Sequence, residues 1–346
     1  MAESLPEPTN VSIVVPVRNS ARTVRDLLES LMKLDYDKER TEIIFVDGRS
    51  TDGTRKIVEE YPVRLIDEEG RGLNAARNTG IKYSKGEIIA YTDGDCVVPP
   101  DWASAIVKNF RDPKISFVGG LVKGYDRTDF ISVYMDETFF QVKPGFRWRR
   151  VGTDLELLQF PAGCNMAFRR HALEKINLFD ERIDYGFDDL DPVEMLGRRG
   201  FSIVLDPDVW VYHQHRTDLK ELLKQHYNYG RGGALLVIHK RSSKLGMWYS
   251  TYLITTTLGI GILATLVLSA IYVRHLLPVN LALWIIGLFL LMLTTLSIEP
   301  AVRSRSLRKL IIYPLLDIVR GFFFTMGGLV EIIHILFGDR RLAQNP

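Results

Sequence analysis

The chain has 346 residues and a formal net charge of +2, a length that allows two domains. The charge is uneven: residues 241–346 hold ten Lys/Arg against four Asp/Glu, and the remainder 34 against 38. The basic end also carries long apolar runs, which points to a membrane surface and away from nucleic acid. Two widely separated cysteines, Cys96 and Cys164, exclude a disulfide framework and suit a reducing compartment.

Met1–Asn10 has neither a basic cluster nor an apolar core, so no signal peptide is expected and the amino-terminal part should stay cytoplasmic. Val11–Val17 is a continuous β-branched run, the pattern of a strand buried on both faces. Ala21–Met32 spaces Val24, Leu27, Leu28 and Leu31 as a helix does. Glu42–Val46 is a second buried strand, and Asp47-Gly48-Arg49-Ser50-Thr51-Asp52-Gly53-Thr54 follows it. Arg55–Tyr61 reads as a helix that Asp52 or Thr54 could cap. Val63–Ile66 is a short strand, and Gly70–Lys82 is a glycine-rich lead into a helix. Glu87–Thr92 is another strand. Alternating strands and helices imply a parallel sheet with right-handed crossovers.

Asp93-Gly94-Asp95 comes directly after that strand. Two carboxylates flanking a glycine form a compact anionic claw, because glycine lets the backbone turn tightly. Such hard oxygen ligands suit Mg²⁺ or Mn²⁺; the plainer reading is an Asx turn. Val97–Asp101 then leads into a helix from Trp102. In open α/β sheets ligands sit beyond the carboxyl ends of the strands. Pro16–Asn19, Asp47 and Asp93–Asp95 all fall at such ends, so one crevice can collect them.

Val118-Gly119-Gly120 looks like another strand end. Phe139–Arg150 is aromatic and basic and has no assignable element beyond a loop. Phe160–Arg169 is a turn into a strand, and Ala172–Phe179 a helix. Asp188-Asp189-Leu190-Asp191 precedes an amphipathic helix that stops at Gly200. Clustered carboxylates raise one another's pKa, which suits a base; the plainer reading is a helix start that favours Asp. Phe201–Leu205 and Val209–Tyr212 are strands, followed by His213-Gln214-His215. Leu219–His239 is amphipathic.

Met247–Val273 and Leu276–Ile298 carry no charge over 27 and 23 residues, and ~20 suffice to span a bilayer. Leu310–Phe337 is interrupted by Asp317, Arg320, Glu331 and His334. It is expected to span with those groups paired one turn apart, and an interfacial or re-entrant placement stays open. Lys240, Arg241 and Lys244 precede the first run, and Arg303, Arg305, Arg308 and Lys309 follow the second, so both ends should face the cytoplasm and the turn Arg274–Pro278 should lie outside. The expected division is a cytoplasmic domain over 1–240 and a membrane domain over 241–346.

Six segments in this order resemble glycosyltransferase family 2, the inverting enzymes with a GT-A fold. They are Ser12–Asn19, Val46–Thr54, Gly72–Gly80, Thr92–Cys96 with the following prolines, Ala162–Arg169 and Gly186–Gly200, within about residues 11–235. The resemblance implies an α/β nucleotide-sugar-binding domain with a Rossmann-like mixed sheet, followed by transmembrane helices. It implies that Pro16, Arg18, Asn19 and Asp47 hold the base and ribose of a UDP- or GDP-sugar. Gly48 stands where a second Asp is usual. Arg77 is implied on the diphosphate side, and Asp93 and Asp95 as ligands of Mn²⁺ or Mg²⁺, with His213 completing the set and His215 its rival. Asp189 matches the general base, with Asp188 where Glu is usual and Asp191 alongside. Gln225 and Arg231 stand near the place of the Gln-x-x-Arg-Trp motif of processive synthases, with different spacing and no Trp. The expected function is transfer of one sugar to a lipid-linked acceptor, a polyprenyl phosphate or polyprenyl-diphosphate glycan, at the cytoplasmic membrane face. A processive polysaccharide synthase and a non-catalytic nucleotide-sugar-binding membrane scaffold are the alternatives.

Overall fold

The computed structural model of the chain describes residues 10–126, 128–138, 146–154, 161–273 and 276–337. Residues 139–145 of the unassigned aromatic stretch and residues 274 and 275 of the turn between the two uncharged runs lie outside these. The chain divides into two compact units, the first from residues 1–132 and 142–215, the second from 133–141 and 216–340, with 341–346 grouped with the first.

Among the described residues the first unit has nine strands: β1 (Val11–Val17), β2 (Thr41–Asp47), β3 (Arg64–Asp67), β4 (Ile88–Tyr91), β5 (Cys96–Val97), β6 (Ile115–Gly124), β7 (Arg150–Gly152), β8 (Met166–Arg169) and β9 (Ser202–His213). They form one sheet in the order β3-β2-β1-β4-β8-β6-β9-β5, with β7 on β9. The parallel half is β3, β2, β1 and β4. β8 runs antiparallel to both β4 and β6, which makes the sheet mixed. Every residue of β1 is buried, because helices cover both faces, as its unbroken apolar run requires.

On one face α1 (Val24–Leu31), α2 (Thr54–Val58) and α4 (Trp102–Asn109) pack Leu27, Leu28, Val58, Trp102 and Ile106 against Ile13 and Val15. On the other α3 (Leu73–Tyr83), α6 (Arg170–Lys175) and α7 (Leu190–Arg198) set Ala76, Ala172, Leu173 and Val193 against Val14 and Ile44. The two strands expected at Phe201–Leu205 and Val209–Tyr212 are one strand, β9. An irregularity in its register with β6 between Gly120 and Leu121 absorbs the intervening residues. α6 is shorter than expected because Asn177 and Leu178 turn left-handed.

The second unit comprises the end of α5 (Phe130–Glu137) and the helices α8 (Leu219–His239), α9 (Lys244–Val273), α10 (Leu276–Leu296), α11 (Ile298–Ser304) and α12 (Lys309–Phe337). α9 and α12 are each long and apolar enough to cross a membrane, and α10 with α11 passes the same test as a pair bent by 42°. Polar side chains lock the unit internally. Asp317 accepts from Tyr134 (2.5 Å) and Thr138 (2.7 Å). Arg320 donates to His226 Nε2 at 2.8 Å. The other ring nitrogen of His226 lies 2.8 Å from the Leu222 carbonyl. Burial and the Arg320 charge push the His226 pKa down to about 3, so this imidazole is neutral at physiological pH.

In the first unit a Cβ on Gly80 of α3 would run into the Val14 side chain of β1. Overpacking of that kind costs about 1–3 kcal/mol. Gly80→Ala should therefore lower the unfolding midpoint of the first unit, measured by denaturant titration against the parent chain.

Candidate active site

The loops after β1 and β2 are laced together. Asn19 turns left-handed at φ 52°, a conformation Asn tolerates. Its side-chain oxygen accepts from the Thr51 amide (2.8 Å), and its own amide donates to Ser50 Oγ (2.9 Å). The Ser20 and Ala21 amides donate to Thr54 Oγ1 (2.7 Å) and Asp52 Oδ2 (3.0 Å). Pro16 is buried within β1, opposite Val46, and Arg18 is exposed in the loop beyond.

Asp47 closes β2 at 1% exposure. Its Oδ2 accepts from Arg55 (3.0 Å) and the Ser50 amide (3.1 Å), while its Oδ1 is buried without a hydrogen-bond partner. Glu68, at the end of β3, was not singled out from the sequence. Its amide donates to the Asp47 carbonyl (3.0 Å), and its Oε1 is likewise buried without a partner. Burial raises its pKa, against the pull of Arg49 and Arg18. A Cβ on Gly48 would lie 3.1 Å from Glu68 Oε2 and 3.4 Å from Arg18. The run Asp67-Glu68-Glu69 at a strand end level with Asp47 was the available signal.

Gly94, between the two claw aspartates, is not left-handed. Its role is close approach: a Cβ there would sit 3.0 Å from Val17 and 3.1 Å from Ser20. The Gly94 carbonyl accepts from Thr23 Oγ1 at 2.8 Å. The turn is thereby held against the end of β1. β5 then pairs antiparallel with β9, setting Cys96 opposite His213. The Gln214 amide donates to the Asp95 carbonyl at 2.8 Å. Asp95 Oδ1 lies 3.3 Å from His213 Nε2, yet the contact is not aligned as a hydrogen bond and this oxygen is buried without one. His213 Nδ1 is 3.1 Å from His215 Nδ1. Among the described residues no three His, Cys, Asp or Glu side chains are already gathered as a metal centre. A buried carboxylate oxygen without a hydrogen bond, facing an imidazole nitrogen, nonetheless fits a hard divalent cation.

The acidic cluster is organised by Arg77 of α3, which is 1% exposed. Its Nη1 donates to Asp188 Oδ2 (2.5 Å) and Asn74 Oδ1 (3.0 Å). Burial alone would lower the guanidinium pKa; the Asp188, Asp93 and Asp189 carboxylates outweigh it and raise it. This places Arg77 among the aspartates rather than in an open crevice. Asp189 stands at the N-cap of α7 but makes no capping hydrogen bond. Its Oδ2 instead accepts from the Gly163 amide at 2.7 Å. The plainer helix-start reading rests on the helix dipole and still accommodates Asp189 and Asp191 at the start of α7. Asp191 is buried in the first turn of α7. The lead-in is strained: Tyr185 and Phe187 are left-handed at φ 72° and 63°. Such outliers persist where surroundings over-determine them and cluster at functional sites. Gln225 and Arg231 belong to the second unit. There Gln225 donates to Tyr229 Oη (2.8 Å), and Arg231 pairs with Glu331 (2.6 Å).

Residues 12–177 match the model of Glycosyl transferase family 2. This stretch is a glycosyltransferase family 2 domain. It is 29% identical over 230 residues to glycosyltransferase AglE of Haloferax volcanii, covering 64% of this chain and 72% of that one. It is 22% identical over 241 residues to a dolichyl N-acetyl-alpha-D-glucosaminyl phosphate 3-beta-D-2,3-diacetamido-2,3-dideoxy-beta-D-glucuronosyltransferase of Methanococcus voltae, covering 66% and 74%. Among solved structures, the mannosyltransferase PcManGT of Pyrobaculum calidifontis, in complex with GDP-Man and Mn²⁺, superposes with a TM-score of 0.63 at 21% identity, over 96% of this chain and 89% of that one. That likeness shows the GT-A fold. The family 2 segments named from the sequence surround the geometry above: Asp47, Asp93, Asp95, Arg77, Gly163 and Asp189 each come from one of them.

A Cβ on Gly163 would lie 2.8 Å from Asp189 Oδ2 and 2.9 Å from Arg77 Nη2. A displacement near 1 Å at a reacting group can cost ~10²-fold. Gly163→Ala should cut turnover by roughly that factor while leaving the unfolding temperature within a few degrees, read from initial rates and thermal melts of one preparation.

Proposed function

We propose that this glycosyltransferase moves a single sugar, with inversion, from a UDP- or GDP-sugar to a lipid-linked acceptor at the cytoplasmic membrane face. The observation that carries the reading is the state of Asp189. It heads α7 without capping it and is held by the Gly163 amide. Its neighbour Asp188 is neutralised by Arg77. Asp188 is occupied by its direct contact with Arg77, so Asp189 is taken as the general base toward the acceptor hydroxyl, ahead of Asp191.

The nucleoside end falls to the laced loops. Pro16, Arg18 and Asn19 would frame it, and the unsatisfied oxygens of Asp47 and Glu68 would receive donors from base or ribose. Asp93, Asp95 and His213 would hold Mn²⁺ or Mg²⁺. When bound, such an ion supplies neutralising charge to the departing diphosphate. Mn²⁺ and a nucleotide sugar in the Pyrobaculum calidifontis structure agree with this assignment. Arg77 acts behind the aspartates as their counter-ion.

The lipid acceptor is supported by the long apolar helices α9 and α12 and the bent pair α10–α11, and by the dolichyl phosphate named for the Methanococcus voltae relative. Lys240 and Arg241 before α9 with Lys244 at its start, and Arg303, Arg305 and Arg308 after α10, favour both ends of that hairpin on the cytoplasmic side. The contacts of Gln225 and Arg231 with Tyr229 and Glu331 favour single transfer over processive synthesis.

Asp189→Asn should lower turnover by ~10²–10⁴-fold, the usual contribution of a general base, with donor affinity within about threefold. Asp95→Ala should abolish Mn²⁺-dependent donor binding. Calorimetric titration with UDP and GDP in the presence of MnCl₂, together with transfer of labelled sugar to polyprenyl phosphate, reads both. Near-normal turnover in Asp189→Asn would assign the base elsewhere. Full activity in excess chelator would remove the metal.

Arg77→Gln should lower turnover with donor affinity kept, and Arg77→Lys should recover part of the loss. A tenfold weaker donor affinity in Arg77→Gln would instead return Arg77 to the diphosphate.

A further inference from the structure

We infer that α12 does not cross the membrane but lies in its cytoplasmic surface, with one face on α8 and the opposite face in lipid. The inference rests on the reading of α9 and α10 as the membrane-crossing hairpin.

α12 passes the length and composition test for a span, but its packing argues otherwise. It runs parallel to α8 from Arg320 to Glu331: Arg320 meets His226, Phe324 meets Gly230 and Glu331 meets Arg231. The backbones touch at Gly230 against Phe324 and at Gly327 against Tyr227, where no Cβ would fit. A crossing α12 would therefore carry α8 across beside it. α8 exposes Lys220, Glu221 and Lys224, and each Lys at a helix centre in the bilayer costs about 2.5–3.5 kcal/mol. It would also deliver Lys240, Arg241 and Lys244 to the far side, against the positive-inside rule.

α9 fixes the level. Its second and third turns meet the middle of α12: the Tyr249 and Tyr252 rings pack on Phe324 at 5.4 and 5.2 Å. Tyr249 Oη also donates to the Gly230 carbonyl of α8 at 2.7 Å. Beyond that point α9 is open, with Ile254, Leu258 and Ile262 each more than half exposed. α9 begins at Lys244, so these tyrosines mark the level at which it enters the bilayer. The midpoint of α12 then sits at that level. A 29-residue helix is ~43 Å long at 1.5 Å per residue, so only about 21 Å lies on either side. That is short of the ~30 Å hydrocarbon core.

The faces of α12 complete the case. Ile311, Leu315, Phe322, Met326 and Ile333 are exposed. At ~100° per residue they form one stripe along the whole helix. Arg320 and Glu331, about half a turn away from that stripe, are buried with partners on α8. A long apolar stripe opposite a polar face is the pattern of a helix lying in the interface. The basic group Arg303, Arg305 and Arg308 just before it fits the anionic headgroups of the cytoplasmic leaflet.

Paired fusions of green fluorescent protein and alkaline phosphatase after residues 243, 275, 305 and 346 of the full chain, in bacterial cells, give the sidedness. The expected pattern is inside, outside, inside, inside. Position 275 outside with 346 also outside would make α12 a span and overturn the inference. A cytoplasmic signal at 275 would overturn the hairpin reading and the inference with it. Nitroxides at 315, 322 and 333, in vesicles of phosphatidylcholine and phosphatidylglycerol, give the depth. Equal shallow depths are expected. Depths graded over more than 15 Å would overturn the in-plane placement even with 346 inside, because they describe a re-entrant helix.

Discussion

A guanidinium at 1% exposure is stable only if its charge is matched, and the carboxylates that match Arg77 are those the chemistry is expected to use. Asp188 takes the direct ion pair, and Asp93 and Asp189 lie within electrostatic reach. Breaking a buried pair of this kind costs about 3–5 kcal/mol, so α3 and the lead-in to α7 are tied at one point. Gly163, the only residue type with room there, supplies the amide that holds Asp189 from the other side. The base candidate is thus held by a backbone donor, while its sequence neighbour takes the direct contact with the guanidinium.

In the second unit the constraint is backbone proximity. Gly230 and Gly327 let the backbones of α8 and α12 touch, and Gly233 and Gly328 leave room for the Tyr249 side chain of α9. Small residues serve that purpose where helices pack closely. The polar groups this brings inside are satisfied by one another. His226 stays neutral between a backbone carbonyl and Arg320, and Asp317 is shared by Tyr134, Thr138 and Arg320.

The parallel half of the sheet was legible because β1 and β2 are short apolar runs bounded by turn residues, and the family 2 segments follow them in order. Asp93 and Asp95 could be named because they end a recognisable strand, whereas Asp189 and His213 were implied only by the resemblance to family 2. Three things were hidden. Glu68 sits in an acidic run that reads as solvated surface, and its place level with Asp47 together with its buried, unpartnered Oε1 singles it out. The burial of Arg77 depends on α7, more than a hundred residues later. The surroundings of Leu310–Phe337 could not be read either, since hydropathy counts apolar residues without saying which helix lies beside them. The rule that made Gly94 a tight-turn glycine was also incomplete: the position needs space, not a left-handed backbone.

The bonds between the loops after β1 and β2 bear on affinity. Asn19, Ser20 and Ala21 are tied to Ser50, Thr51, Asp52 and Thr54, so the two loops form one preset surface. Ordering a residue's backbone costs about 1–2 kcal/mol, and here folding has already met that cost before any ligand arrives. A nucleotide docking on this surface, as proposed, would meet a rigid cradle, so its binding entropy should be dominated by the ligand's own freedom and by released water.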